Sequence, residues 1–254
     1  MPEPALETRD LTIRFGGQVA VDAVSCLFHA GTLTAIVGPN GAGKTTYFNL
    51  ISGQLRPSAG RVRLAGRDIT GLGVPQRARL GLGRAFQLTN LFPDLTVLEN
   101  VRLAVQARAG VFLDWWSMAA DRVGLVGRAM EHLRRVRLAE RAGTAAAALS
   151  HGDQRKLEVA MMLALEPEIF MFDEPTAGMS LDEVPVILDL IEEIKAEGTK
   201  TILLVEHKRD VVARLADRVI VLHNGALVAD GAPEEVVASA IVREAYLGLR
   251  PADG

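Results

Sequence analysis

The run Gly38-Pro39-Asn40-Gly41-Ala42-Gly43-Lys44-Thr45 fits the pattern G-x-x-x-x-G-K-[ST] and constrains this chain more than any other segment. It lies between a short apolar run at 32–37 and a stretch at 43–52 with helical character, so it reads as the loop of a strand–loop–helix unit. Glycines in such a loop let backbone N–H groups curl around an anion with no Cβ in the way. The following helix turns the positive end of its dipole toward the same anion. Lys44 adds a mobile positive charge for β- and γ-phosphates, and the Thr45 hydroxyl is a ligand for Mg2+.

A second feature sharpens the first. Ile169-Phe170-Met171-Phe172 is a buried-strand pattern that ends in two carboxylates, Asp173 and Glu174, before Pro175. Alone this is an acidic turn. Downstream of a phosphate loop it reads as the strand beside that loop, with Asp173 reaching Mg2+ and Glu174 placed to orient or deprotonate an attacking water.

The remaining layout is α/β. Runs at 6–15 and 20–28 flank Gly16-Gly17 as in a hairpin, and 61–64 reads as a further edge strand. Residues 91–165 are rich in Ala, Arg, Leu and Glu and read as several helices. Residues 201–205 form another short buried strand, with an amphipathic crossover helix at 184–195 before it. Apolar runs at 219–222 and 226–229 flank His223-Asn224-Gly225, a hairpin signal, and Pro233-Glu234-Glu235 opens a last helix. The expected organisation is one domain over 1–254: a core of 1–90 and 166–232, a helical subdomain of 91–165, and a tail of 233–254.

Composition narrows the function classes. The chain has 254 residues, 49% of them hydrophobic and 23% charged, enough for a sizeable core. A formal net charge of −3 gives no electrostatic reason to expect nucleic acid. The single cysteine, Cys26, excludes an intrachain disulfide and fits a reducing compartment. Met1-Pro2-Glu3-Pro4-Ala5 lacks the start of a signal peptide, and no apolar stretch reaches 18 residues. A soluble or peripheral protein on the cytoplasmic side is expected.

Leu149-Ser150-His151-Gly152-Asp153-Gln154 stands before a helix on which Leu157, Ala160, Met161 and Ala164 form one apolar stripe. Ser150 and Asp153 have capping-box spacing, so a well-capped helix is its ordinary explanation. The segment also resembles the Leu-Ser-Gly-Gly-Gln signature of the ABC ATPases, between phosphate loop and acidic strand in that family's order. Phe15 falls where the family stacks an aromatic on adenine. Gln87, in Arg84-Ala85-Phe86-Gln87, matches the Q-loop, Ala177-Gly178-Met179-Ser180 the D-loop, and His207 the switch histidine. Singly, Phe15 could be a core strand residue, Gln87 a surface polar group and His207 a loop histidine. Their shared order over residues 15–207 carries the resemblance.

The resemblance implies an α/β P-loop (RecA-like) core with an antiparallel β subdomain and an inserted helical subdomain bearing the signature. It implies an ATPase using ATP and Mg2+. The nucleotide would be held by Phe15 and by Gly38, Pro39, Asn40, Gly41, Ala42, Gly43, Lys44, Thr45 and Thr46. Catalysis would rest on Glu174, His207 and Gln87, and Mg2+ on Thr45, Gln87 and Asp173. Ser150, Gly152 and Asp153 would serve a partner's ATP in trans, because such ATPases work as head-to-tail pairs. This chain departs from the family pattern at His151 and Asp153 in the signature and at Ser180 in the D-loop.

Finer features resemble the ATPases of branched-chain amino acid importers. They include Phe48-Asn49-Leu50-Ile51-Ser52-Gly53, Leu95-Thr96-Val97-Leu98-Glu99-Asn100, Val205-Glu206-His207 and Glu244-Ala245-Tyr246-Leu247-Gly248. That implies a peripheral subunit on the cytoplasmic face of the inner membrane that powers import of branched-chain amino acids or a related small solute. Its partners would be a second ATPase, identical or different, transmembrane permeases and, indirectly, a periplasmic solute-binding protein. An exporter ATPase of the lipopolysaccharide type and a non-transport ABC protein are the alternatives. Trp115-Trp116 is read as local packing, with a permease or lipid contact as the other option.

Overall fold

The structure, a computed structural model, describes residues 3–85, 91–110 and 118–239. Gln87, Trp115-Trp116 and the 244–248 tail lie outside the described residues. The described residues fall into two compact units. One is drawn from Met1–Leu82, Glu168–Glu174 and Ile194–Gly254, the other from Gly83–Pro167 and Pro175–Glu193. Pro175–Glu193 therefore groups with the helical residues, where the sequence suggested the core. Ion pairs between Arg135 and Glu193 at 3.0 Å and between Lys156 and Glu183 at 3.7 Å tie it there.

In the first unit, β1 (Leu6–Phe15) and β2 (Gln18–Phe28) pair antiparallel, and β3 (Leu33–Val37) leads into α1 (Lys44–Ser52). Then come β4 (Ala59–Leu64), β5 (Arg67–Asp68) and α2 (Val74–Arg79). A four-stranded sheet runs β2-β1-β4-β5. Thus β4 is not an edge strand: the two-residue β5, too short to announce itself in the sequence, covers it. β6 (Leu82–Ala85) then carries the chain into the helical unit.

The helical unit holds α3 (Val97–Arg108), α4 (Met118–Arg135), α5 (His151–Ala164) and most of α6 (Val184–Ala196). Between the last two, β7 (Ile169–Asp173) belongs to the first unit. So do β8 (Thr201–Val205), α7 (Arg209–Leu215), β9 (Arg218–His223), β10 (Ala226–Gly231) and α8 (Pro233–Ala238). Five of these strands lie in the order β10-β9-β3-β8-β7, parallel except for β10. β3, β7 and β8 are buried at every position, as expected of parallel strands covered on both faces.

The main core surrounds α1. Tyr47, Phe48, Leu50 and Ile51 are fully buried with Phe28, Val62, Ile36, Met171, Leu203 and Ile220 from both sheets. Each such side chain contributes about 2 kcal/mol of burial free energy. The Tyr47 hydroxyl meets Thr8 Oγ1 at 2.8 Å, so the polar end of the ring is not left orphaned.

Arg77 secures the far end of α1. Its side chain is 1% exposed. The guanidinium donates to the carbonyls of Leu50 at 2.8 Å, Leu72 at 2.9 Å and Thr70 at 3.1 Å, and also to Ile51. Leu50 and Ile51 sit in the last turn of α1, where carbonyls lack helical partners and a cation meets the negative dipole end. Burial pulls the guanidinium down to about 10, with Asp68 opposing, so it stays charged at neutral pH. Arg77→Met strands several buried carbonyls and is expected to cost about 3 kcal/mol, lowering Tm by roughly 6–12 °C. Thermal melts check this; an unchanged Tm refutes the clamp.

In the helical unit, α3 starts with a complete capping box. Thr96 Oγ1 accepts from Glu99 N at 3.1 Å, and Glu99 Oε2 accepts from Thr96 N at 3.2 Å. Burial raises the Glu158 carboxyl from 4.5 to about 7, with Arg155 pulling the other way. The folded chain thus keeps a proton that the unfolded chain releases. This contribution is full below about pH 4.5 and is lost as pH rises through about 7. Glu158→Gln is therefore expected to leave Tm unchanged near pH 4.5 and to raise it at pH 8. Paired melts at the two pH values check it; an equal effect at both would overturn the assignment.

Candidate functional site

Strand register in the first unit brings the sequence's scattered acids and glycines together. β3 lies between β8 and β9, with Ile36 opposite Val205 and Val37 opposite Val221. β7 pairs with β8, with Asp173 opposite Val205. The C-terminal ends of these parallel strands therefore point the same way, the place where ligands bind in open α/β sheets. The phosphate loop follows β3, Glu174 follows β7 and His207 follows β8.

A cleft of about 340 Å³ opens there, lined by Asn40, Gly41, Ala42, Gly43, Lys44, Thr45, Thr46 and Glu174, together with Gln18, Val19, Ala20, Asn224 and Gly225. The Lys44 ammonium folds over its own loop, donating to Gly38 O at 2.7 Å and Pro39 O at 3.0 Å. Burial pulls its pKa down while Glu174 and then Asp173 push it up, so both acids act on the loop cation. Asp173 is 6% exposed.

The loop's shape depends on glycine at two contacts. A Cβ on Gly43 would stand 2.5 Å from the Ala20 carbonyl oxygen, and Gly43 adopts φ +97°. Gly225, at φ +80° in the β9–β10 turn, donates its N–H to Ala42 O at 3.0 Å and accepts from Asp22 N at 2.9 Å. The hairpin tip thus braces the phosphate loop. The Asn224-Gly225 turn is legible as a hairpin signal, but its place under the loop is not, and nothing in the sequence places Gln18, Val19 and Ala20 at the cleft.

Glu174 adopts φ +49°, a left-handed backbone that costs a non-glycine residue about 1 kcal/mol. Its N–H donates to Val205 O at 2.9 Å, which holds that conformation and turns the carboxylate toward the cleft. Glu174 Oε1 lies 3.8 Å from His207 Nδ1. Phe15, at the end of β1, is 51% exposed and is not among the residues lining the cleft.

In the helical unit, Ser150 caps α5, its Oγ accepting from Asp153 N at 3.2 Å. The reciprocal half of the expected capping box is absent. Asp153 turns instead to Lys156 Nζ at 2.9 Å and Arg141 at 3.7 Å, because paired cations hold a carboxylate better than a lone amide does. Met161 is only half-buried, whereas Lys156, Val159, Met162 and Leu163 join Leu157, Ala160 and Ala164 inside. The buried face is therefore broader than one stripe, because α5 packs against both α3 and α4. Gly152 lies against the Glu183 carboxylate, where any Cβ would overlap it.

Comparison with known proteins agrees with this geometry. The family model described as ABC transporter matches residues 21–177. LivG of Salmonella typhimurium, a high-affinity branched-chain amino acid transport ATP-binding protein, is 39% identical over 253 residues, covering 98% of this chain and 99% of that protein. The ADP conformation of MJ1267, an ATP-binding cassette of an ABC transporter, matches with a TM-score of 0.81 at 29% identity, over 98% of this chain and 100% of that one. A dimeric post-hydrolysis state of the cassette MJ0796, bound to ADP and Pi, matches with a TM-score of 0.77 at 27% identity, over 90% and 98%. With a phosphate loop, paired acids and a histidine gathered at the strand ends, and with this likeness along nearly its whole length, the chain belongs to the ABC transporter family and is one of its ATP-binding, ATP-hydrolysing subunits.

Proposed function

We propose that this chain powers the import of branched-chain amino acids. The observation that carries the reading is the 39% identity to LivG over nearly the full length of both chains. Residues 1–254 act as one ABC ATPase domain, peripheral to the cytoplasmic face of the inner membrane. No described helix is long and apolar enough to cross a membrane, so passage of the solute falls to permease partners, fed by a periplasmic solute-binding protein. A second ATPase completes each site, an arrangement favoured by the dimeric MJ0796 cassette.

Within a site, Gly38 to Thr46 cradle the phosphates and Phe15 meets the adenine. Glu174 positions the attacking water and His207 faces the γ-phosphate. Ser150, Gly152 and Asp153 present the N-terminus of α5 to the partner's ATP, where backbone N–H groups favour an anion. Thr45, Gln87 and Asp173 are oxygen donors of the kind Mg2+ prefers, and Asp173 lies close enough to the loop to raise the Lys44 pKa. When bound, the ion neutralises charge on the β- and γ-phosphates.

The test is to purify the chain with its membrane partners, reconstitute the assembly in liposomes and measure ATP-dependent uptake. Saturable uptake of leucine, isoleucine or valine is the expected result. ATP-driven movement of a chemically different solute, with none of these three, would overturn the assignment.

A further inference from the structure

We propose that Glu206 is a positioning residue for His207, holding the imidazole by its Nδ1 edge. The proposal rests on the reading above that His207 takes part in hydrolysis. Glu206 follows β8 directly, and its side chain is 0% exposed. A carboxylate in such a place is costly unless its oxygens are bonded. Glu206 Oε2 accepts the backbone N–H of His207 at 2.9 Å and stands 3.6 Å from His207 Nδ1. Glu174 Oε1 stands 3.8 Å from the same nitrogen.

The three side chains form an ordered set. His207 is 52% exposed, Glu174 41% and Glu206 0%. A half-exposed imidazole is free to rotate unless something holds it. Here a buried acid accepts the backbone N–H and stands beside the ring at 3.6 Å, and the acid assigned to the attacking water faces the same ring nitrogen. Glu206 is closed off from solvent, so it does not touch nucleotide, and any effect on turnover passes through its neighbours. Two carboxylates on the Nδ1 side favour the tautomer that carries its proton on Nδ1, since the partner of one ring nitrogen sets the state of the other. The arrangement follows the same logic as an acid that orients a catalytic histidine from behind.

The experiment uses the full chain with Glu206→Gln, which keeps an acceptor oxygen for the His207 N–H, and Glu206→Met, which fills the space without one. Each is made in the wild-type and His207→Ala backgrounds. For Glu206→Gln we expect kcat to fall about tenfold or more with the KM for ATP within about twofold, and a larger fall for Glu206→Met. The 15N side-chain spectrum of His207 should move away from the Nδ1-protonated form in both. In the His207→Ala background neither change should reduce turnover further. Wild-type turnover in Glu206→Gln beside an impaired His207→Ala, an unmoved His207 spectrum, or an equal loss in both backgrounds overturns the inference. Full turnover in His207→Ala overturns the role of His207 itself, and this proposal with it.

Discussion

Glu174→Gln is expected to lower steady-state ATP turnover by about two to four orders of magnitude while leaving ATP affinity within about threefold. The residue is held at φ +49° by its bond to Val205 O, and its carboxylate borders the cleft. A glutamine there keeps the shape and loses the capacity to take a proton. If the water step is removed and binding is not, the paired arrangement proposed above predicts that ATP bridges two chains that cannot release it. Light scattering with ATP should then report a persistent dimer, and with ADP a monomer. Phosphate release at the wild-type rate would remove Glu174 from its proposed role.

Lys44→Ala is expected to weaken ATP binding by at least about a hundredfold, or about 3 kcal/mol. Lys44 is 7% exposed, so its ammonium meets any bound phosphate in a place where water screens little. Its lowered pKa reflects that burial, yet Glu174 and Asp173 oppose the shift and favour the charged form. Titration calorimetry measures the loss, with circular dichroism as a check on folding. Unchanged affinity would refute phosphate binding by this lysine. The two substitutions also separate the steps, since one removes binding and the other removes turnover with binding kept.

Arg77 shows why stability and site are linked. It lies far along the chain from the phosphate loop, yet it closes the other end of the helix whose first turn carries Lys44 and Thr45. The loop is thus braced at one end of α1 by the Gly225 turn and anchored at the other by a buried cation. Neither contact was visible in the sequence, where Arg77 is one basic residue among 28.

What the sequence determined by itself were features whose partners lie within a few residues. The phosphate loop needs its own glycines and the helix after it. The Ser150 cap and the Thr96–Glu99 box close across three residues. β3, β7 and β8 read as buried strands from their apolar runs alone. Tertiary structure decided whatever depends on distant segments. The two-residue β5, the grouping of Pro175–Glu193 and the turn of Asp153 toward Lys156 and Arg141 all followed from packing or competing charge. So did the bracing of Ala42 by Gly225 and the burial of Glu206 beneath His207. The physical reason is that backbone propensity and capping act over one turn of chain, whereas parallel register and desolvation are set by strands far apart in sequence.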